Sequence, residues 1–402
     1  MGDRWSTIVD ALANEPLPAM VVDLDAFDRN VARHVALCAA KKKPLRVATK
    51  SLRVRALISR VQEKCGAIFG GLMCFSAREA CFLAQNGHDD LLVAYPTLAA
   101  ADLLALARVG AQGKRVIVTV DSEESVRAAA VAAEKSGARL GAVICVDTSL
   151  ALFGAHLGVR RSPLARAEDV VRVARLARDT GHLAVMGLLA YEALVAGARD
   201  LKASARAKSA VLRLLKSRSI DDVRARRLAM TAALRKDGFD VTVVNGGGTG
   251  SLESTADDPS VTEVSCGSGF LLPHLFDDYA SPFVRSLEPA SVFAVEVTRR
   301  PGPGFVTCAG GGYIASGEAG ADRLPLVVHP SGLALVTLEG AGEVQTPLAG
   351  PGADGCVLGS AVLMRPAKAG EPMERFTEVR LFAGGELTGR AATYRGEGQC
   401  FG

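Results

Sequence analysis

The sequence predicts an α/β protein: a (β/α)8 TIM barrel followed by a smaller all-β domain. Three observations carry that prediction. Eight short apolar or β-branched runs lie between residues 44 and 269. They are continuous, in the manner of parallel strands buried on both faces. Ala/Leu/Arg/Glu-rich stretches with helical texture separate them. Beyond about residue 286 the texture changes to short alternating runs split by Gly and Pro, such as "SVFAVEVTRRPGPGFVTCAGGG". That pattern predicts a compact β domain.

The eight predicted strands are "PLRVATK" (44–50), "FGGLMCFS" (69–76), "DLLVAYP" (90–96), "RVIVTVD" (115–121), "LGAVICVD" (140–147), "LAVMGLLAYE" (183–192), "DVTVVNGGG" (240–248) and "VTEVSCGSG" (261–269). Helices are expected at 76–87, 98–110, 122–137 and 166–181, several ending on the Gly that commonly closes a helix. Ser122, with Glu124 and Ser125 behind it, marks a helix start. Ser51 reads as another N-cap. The long basic stretch 197–237 is expected to hold two helical pieces around "SRSIDDVRARRL", with a solvated charged face. A doubly wound sheet competes with the barrel. The barrel is favoured by strand count and by polar residues at the strand ends: Lys50, Ser76, Tyr95, Asp121, Asp147, Tyr191, Glu192 and Asn245. The predicted division is a barrel over 17–285 and a β domain over 286–402, with segment 1–16 packing on the latter.

Composition narrows the function. With 402 residues and 49% hydrophobic content, a large core is available. A formal charge of +4 is too small for a dedicated nucleic-acid binder. Nine scattered cysteines without a CxxC suit reduced thiols in a cytosolic enzyme. The N-terminus lacks the apolar core of a signal peptide, and no apolar stretch is long enough to span a bilayer. The expectation is a soluble, cytoplasmic protein that binds neither nucleic acid nor membrane.

Lys50 ends the first apolar run, after Val47-Ala48-Thr49. Such a lysine can snorkel to solvent. Desolvated at a barrel rim, it would have a lowered pKa and serve as a nucleophilic amine toward an aldehyde. Two glycine-rich turns follow the last two runs, "VNGGGTGSLES" (245–254 with its flank) and "SCGSGF" (265–270). Glycine turns expose successive N–H groups to an anion, and the loops after barrel strands seven and eight frequently bind phosphate. A phosphorylated aldehyde anchored there could reach Lys50 across the mouth. Pyridoxal 5′-phosphate is such a molecule.

The motifs "LPAMVVDLDAFDRNV" (17–31), "VATKS", "LAYEALVAG" (189–197), "VNGGGTG" (244–250), "VSCGSG" (264–269) and "TYRGEG" (393–398) extend over almost the whole chain. In them the sequence resembles the fold-type III pyridoxal phosphate enzymes, and most of all their D-threonine aldolase / D-serine dehydratase branch. The resemblance implies an alanine-racemase-like barrel, a C-terminal β domain and a homodimer whose sites draw on both subunits. By position it makes Lys50 the internal-aldimine lysine. Gly247, Gly248, Thr249, Gly267 and Ser268 would hold the phosphate, and Asn245 and Tyr191 would lie beside the cofactor. His156 would stand near the pyridine ring, where relatives commonly carry an arginine. Tyr394 is a candidate proton-transfer partner from the β domain, and Cys266 is expected to be packing.

The pattern breaks in one place. Metal-dependent relatives carry a His-x-Asp or His-x-Cys pair where this chain has Pro366 and Lys368. Proline has no donor atom and an ammonium repels a cation, so no metal is expected there. Lys368 would replace the metal's charge and hold a hydroxyl or carboxylate, or else be a solvated lysine. The resulting expectation is a lyase acting on a D- or β-hydroxy-α-amino acid, by retro-aldol cleavage or dehydration/deamination. A racemase or epimerase is the alternative. A non-catalytic carrier is a third reading, against which residues 286–402 count.

Overall fold

A computed structural model describes residues 4–152, 154–202 and 205–401. Along the chain come α1 (Arg4–Ala11), β1 (Ala19–Asp23), α2 (Leu24–Ala40), β2 (Leu45–Ala48), α3 (Arg55–Cys65), β3 (Phe69–Cys74), α4 (Ala77–Gln85), β4 (Leu91–Val93), α5 (Ala100–Ala111), β5 (Val116–Val120), α6 (Glu123–Ser136) and β6 (Leu140–Cys145). The short hairpin β7 (Leu150–Leu152) and β8 (Ala155–Leu157) follows, then α7 (Ala167–Asp179), β9 (Leu183–Leu189), α8 (Ala193–Gly197), α9 (Arg206–Lys236), β10 (Val243–Gly246), α10 (Leu252–Ala256), β11 (Glu263–Cys266), α11 (Ser268–Leu271) and α12 (Pro282–Ser286).

Strands β2, β3, β4, β5, β6, β9, β10 and β11 form a closed barrel with every pairing parallel. All eight predicted strands are present, and closure through β11 and β2 removes the doubly wound alternative. Alternation along the strands separates two cores. Leu92, Ile117, Val143, Leu189 and Val243 cluster together, while Leu91, Val116, Val118 and Val120 pack with the helices. This explains the unbroken apolar runs: both faces of each strand are covered.

Local signals set several helix ends. Ser122 and Ser125 form a reciprocal capping box at the start of α6, and Gly137 closes it at φ 66°. Ser51 departs from expectation. It lies in a 3-10 turn, Thr49–Ser51, and α3 begins only after Val54. The predicted two-piece helix is one 31-residue helix, α9. Its sequence has no Gly or Pro to break it, and Val223, Arg227, Met230 and Leu234 form a buried stripe at helical spacing. Its charges are not all solvated: Lys216 and Arg227 are buried.

The second sheet has nine strands. It contains β12 (Ser291–Gly302), β13 (Phe305–Ala309), β14 (Leu326–His329), β15 (Ala334–Leu335), β16 (Gln345–Ala349), β17 (Ala361–Arg365), β18 (Glu378–Ala383) and β19 (Glu386–Ala392). Its ninth member is β1, antiparallel to β12 and parallel to β18. The boundary at residue 17 is therefore corrected: residues 19–23 belong to this sheet, not to the barrel. Every β1 side chain is buried, which demands partners on both edges and both faces. Ile8 and Leu12 of the N-terminal segment pack against Val21, Leu363 and Phe382. Among the described residues, no helix is long and apolar enough to cross a membrane.

Candidate active site

The C-terminal strand ends surround a cavity of about 140 Å³. One wall is the turn after β2. Lys50 projects from it, and its Nζ lies 3.4 Å from the Tyr95 hydroxyl and 6.0 Å from that ring's centroid. Of the two readings of this lysine, desolvated or reaching to solvent, the structure shows the second: Lys50 is exposed, on the 3-10 turn that follows the strand end. Burial acts to raise the pKa of the Tyr95 hydroxyl, but Lys50 and Arg161 outweigh it and hold it below the usual tyrosine value.

Arg161 is the cavity residue that sequence reasoning missed. Its guanidinium sits 5.3 Å from the Tyr95 ring centroid and 4.8 Å from that of Tyr191, a geometry that favours a planar cation. His156, the expected occupant, is instead in β8, paired with Ala151 across the hairpin, and does not line the cavity. The available signal was a pair of tyrosines at two strand ends with an arginine five residues beyond the histidine. Tyr191 itself does line the cavity, and burial pushes its hydroxyl up to about 12.

The adjoining wall is backbone. Gly247, Gly248, Thr249, Gly267 and Ser268 all face the cavity. Among the described residues, the N–H groups of Gly248, Thr249 and Gly267 have no protein partner. The glycines are required: a Cβ on Gly248 would stand 3.1 Å from the Tyr191 ring, and one on Gly267 would stand 2.5 Å from the Ala48 carbonyl oxygen. Gly247 has φ 101°, which favours glycine. Thr249 Oγ1 accepts the Gly269 N–H at 2.8 Å, tying the two turns together. Ser51 Oγ lies 3.1 Å from Ser268 Oγ, which ties them to the lysine turn.

Glu192 is turned away from the cavity. Its Oε2 accepts the Gly247 N–H at 2.8 Å and its Oε1 accepts the Thr255 hydroxyl at 2.8 Å. Arg227 pairs with it and, at 3.1 Å, with Asp258. All three charges are buried, so α9 holds the first glycine turn through an ion triad. Asn245 lies at the floor, where Nδ2 donates to Glu263 Oε1 at 2.8 Å and Ser265 Oγ at 2.7 Å. Glu263 is in turn paired with buried Arg46 at 2.6 Å. Cys266 is buried in the core shared with the helices, at the edge of the cavity, and burial pushes its thiol far up. All nine cysteines are free.

Two expected residues lie elsewhere. Tyr394 is not in the cavity. It is fully buried, with its hydroxyl donating to Glu79 Oε1 at 2.8 Å and its ring edge-on to Phe82 and Phe401. Its placement follows from the apolar pocket those rings create. Lys368 lines an outer cavity of about 270 Å³ that shares Lys50, Tyr191 and Ser268 with the inner one. Its Nζ bonds Ser316 Oγ at 2.7 Å and Glu371 Oε1 at 2.9 Å. Pro366 is buried and its carbonyl accepts the His274 N–H at 3.1 Å.

The residues present fit pyridoxal 5′-phosphate. Free backbone donors form one wall, at glycines where a Cβ would press on neighbouring atoms. A primary amine and an arginine line the same cavity. They do not fit a metal at 366 and 368, where neither side chain offers a ligand to a cation.

Curated relatives include 3-hydroxy-D-aspartate aldolase of Paracoccus denitrificans (strain Pd 1222), 28% identical over 252 residues, covering 62% of this chain and 59% of that protein. A D-threonine aldolase of Arthrobacter sp is 27% identical over 261 residues, covering 64% of this chain and 62% of that one. The matched region thus spans about three fifths of either relative. Among solved structures, D-threonine aldolase from Filomicrobium marinum superposes with a TM-score of 0.82 at 21% identity, over 96% of this chain and 97% of that chain. D-threo-3-hydroxyaspartate dehydratase from Delftia sp. HT23 gives 0.75 at 20%, over 95% and 98%. These structures share the barrel and second sheet. A family model, alanine racemase N-terminal domain, matches residues 22–270, and the chain belongs to that family.

Proposed function

We propose that the protein is a pyridoxal 5′-phosphate-dependent lyase. Its substrate would be a D- or β-hydroxy-α-amino acid, cleaved by a retro-aldol reaction or dehydrated and deaminated. One observation carries the reading: the Lys50 amine and the free N–H groups of Gly248, Thr249 and Gly267 share a single cavity. When bound, the cofactor supplies an electron sink that weakens the bonds to the amino acid's Cα.

The chain's own groups do the rest. Lys50 provides the amine that anchors the aldehyde, and the base for one face of Cα. The N–H groups of Gly248, Thr249 and Gly267 receive the phosphate. Arg161 would offer a cation to the cofactor's ring, and Tyr191, kept protonated by burial, offers a hydroxyl hydrogen bond. Tyr95, beside Lys50, is the group best placed to exchange a proton with it. Lys368, braced by Ser316 and Glu371, holds a hydroxyl or carboxylate in the outer opening without a metal. The sequence relatives are aldolases by name, which supports a lyase. Racemisation needs bases on both faces of Cα, and Tyr394, the expected second base, is outside the cavity. A homodimer, on the strength of the resemblance, and a cytoplasmic setting, on that of the scattered cysteines, belong to the same reading.

The test is spectroscopic and then chemical. Purified protein loaded with cofactor is expected to absorb near ~420 nm, and to lose that band on borohydride reduction or in Lys50→Ala. No band in the loaded wild type would defeat the proposal. D- and L-threonine, D- and L-serine and 3-hydroxyaspartate are then supplied. Release of aldehyde or keto acid, insensitive to EDTA, supports the metal-free lyase. Deuterium at Cα with inversion and no carbon–carbon or carbon–oxygen cleavage indicates a racemase instead.

A further inference from the structure

We propose that Tyr394 is a positioning residue: acting through Glu79 and Arg53, it holds the lysine-bearing turn and the cavity wall beside it in register with the glycine wall. The role rests on Lys50 being the reactive amine.

Tyr394 touches two chain segments that end in the cavity. Its hydroxyl donates to Glu79 Oε1 at 2.8 Å, and Glu79 Oε2 accepts the Phe75 N–H at 2.7 Å. Phe75 lines the cavity just beyond β3. The Tyr394 N–H donates to the Arg53 carbonyl at 2.9 Å, and Arg53 Nε donates to the Lys50 carbonyl at 3.1 Å. A single residue, 315 positions from Glu79 in sequence, therefore reaches the turns after both β2 and β3 through one intermediary each.

The surroundings make these bonds directional. Tyr394 and Glu79 are both fully buried, so neither hydroxyl nor carboxyl can turn to water. Glu79 faces the Tyr394 hydroxyl from the C-terminal segment, the Arg53 guanidinium from the lysine turn, and the Cys74 thiol from β3. Burial pushes Glu79 up to about 7 and the Tyr394 hydroxyl well above its ordinary value, so the tyrosine remains a donor. A phenylalanine at 394 would fill the same aromatic pocket between Phe82 and Phe401. What the hydroxyl adds is orientation rather than bulk. The second sheet braces the turn from another side too. Arg53 pairs with Glu374 at 2.7 Å, and a Cβ on Gly370 would overlap the Lys50 carbonyl.

Tyr394→Phe tests this, with Glu79→Gln as a second, milder variant. In cofactor-free protein, amide exchange is expected to quicken at Phe75 and across Lys50–Arg55 in both variants, with α5 unchanged. In loaded protein, affinity for pyridoxal 5′-phosphate, read from the absorbance band well below the unfolding temperature, is expected to weaken about tenfold in Tyr394→Phe. Unchanged exchange at those amides would overturn the proposal whatever the cofactor does. A lowered unfolding temperature with wild-type exchange and wild-type affinity would show a purely structural tyrosine, and would overturn it as well. If wild-type protein binds no cofactor, the functional reading fails, and the exchange measurement still decides the positioning role.

Discussion

The two walls of the cavity are held in opposite ways. The glycine wall is a product of the barrel. Its donors are backbone N–H groups at the ends of β10 and β11, and its brace, the Glu192–Arg227–Asp258 triad, comes from neighbouring barrel elements. The lysine wall is gripped from outside, by Gly370, Glu374 and Tyr394 of the second sheet and its C-terminal extension. A wall proposed to surround a phosphate needs many fixed dipoles, which strand ends supply. A wall that carries one flexible side chain needs its backbone pinned by contacts reaching across the fold.

Removing the glycine wall's brace should have the largest effect. Arg227→Met leaves Glu192 and Asp258 buried without their counter-charge, and is expected to cost about 3–5 kcal/mol in urea unfolding. An effect near zero would mean that the triad does not hold the turn. Gly267→Ala strikes the point where the walls meet. Its new Cβ would stand 2.5 Å from the Ala48 carbonyl oxygen and 2.9 Å from Ser51 Oγ. Because the first neighbour is backbone, overpacking is expected to cost about 1–3 kcal/mol and to weaken cofactor binding. Retained stability and affinity would show that the walls can separate.

The smallest effect should come from the lysine wall, and should depend on pH. Glu79, at about 7 in the fold against 4.5 ordinarily, keeps a proton that the unfolded chain loses between those values. Its stabilising contribution is complete below about 4.5 and is lost as pH rises through about 7, at a slope of up to about 1.4 kcal/mol per pH unit. Glu79→Gln cannot ionise and should lose that slope, so wild type and variant should diverge in the variant's favour between pH 5 and pH 8. A pH-independent difference would show that Glu79 is ionised throughout.

The same contrast explains what could be foreseen. The eight barrel strands and both glycine turns were readable because each is specified within a few residues: apolar continuity for one, runs without side chains for the other. Lys50 was readable because it ends such a strand. Arg161 was not. Whether it or His156 faces the cavity depends on the register of the β7–β8 hairpin, which carries the histidine out to its partner Ala151. Tyr394, expected as a proton-transfer partner from the β domain, is not at the cavity either. Its actual seat is made by Phe82 and Phe401, which only folding brings together. Residues 19–23 look like any buried strand, and nothing in their five residues says which sheet will take them.

Periodicity, turn chemistry and the place of a lysine at a strand end are properties of short stretches, where backbone preference and the burial of neighbouring side chains act without distant help. The direction in which each polar group faces is different in kind. It is settled by hydrogen bonds and packing that join separate segments, across a hairpin for His156 and Ala151 and across 315 positions for Tyr394 and Glu79, each contributing about 1 kcal/mol. Such terms act only after the barrel has closed and the second sheet has docked beside it.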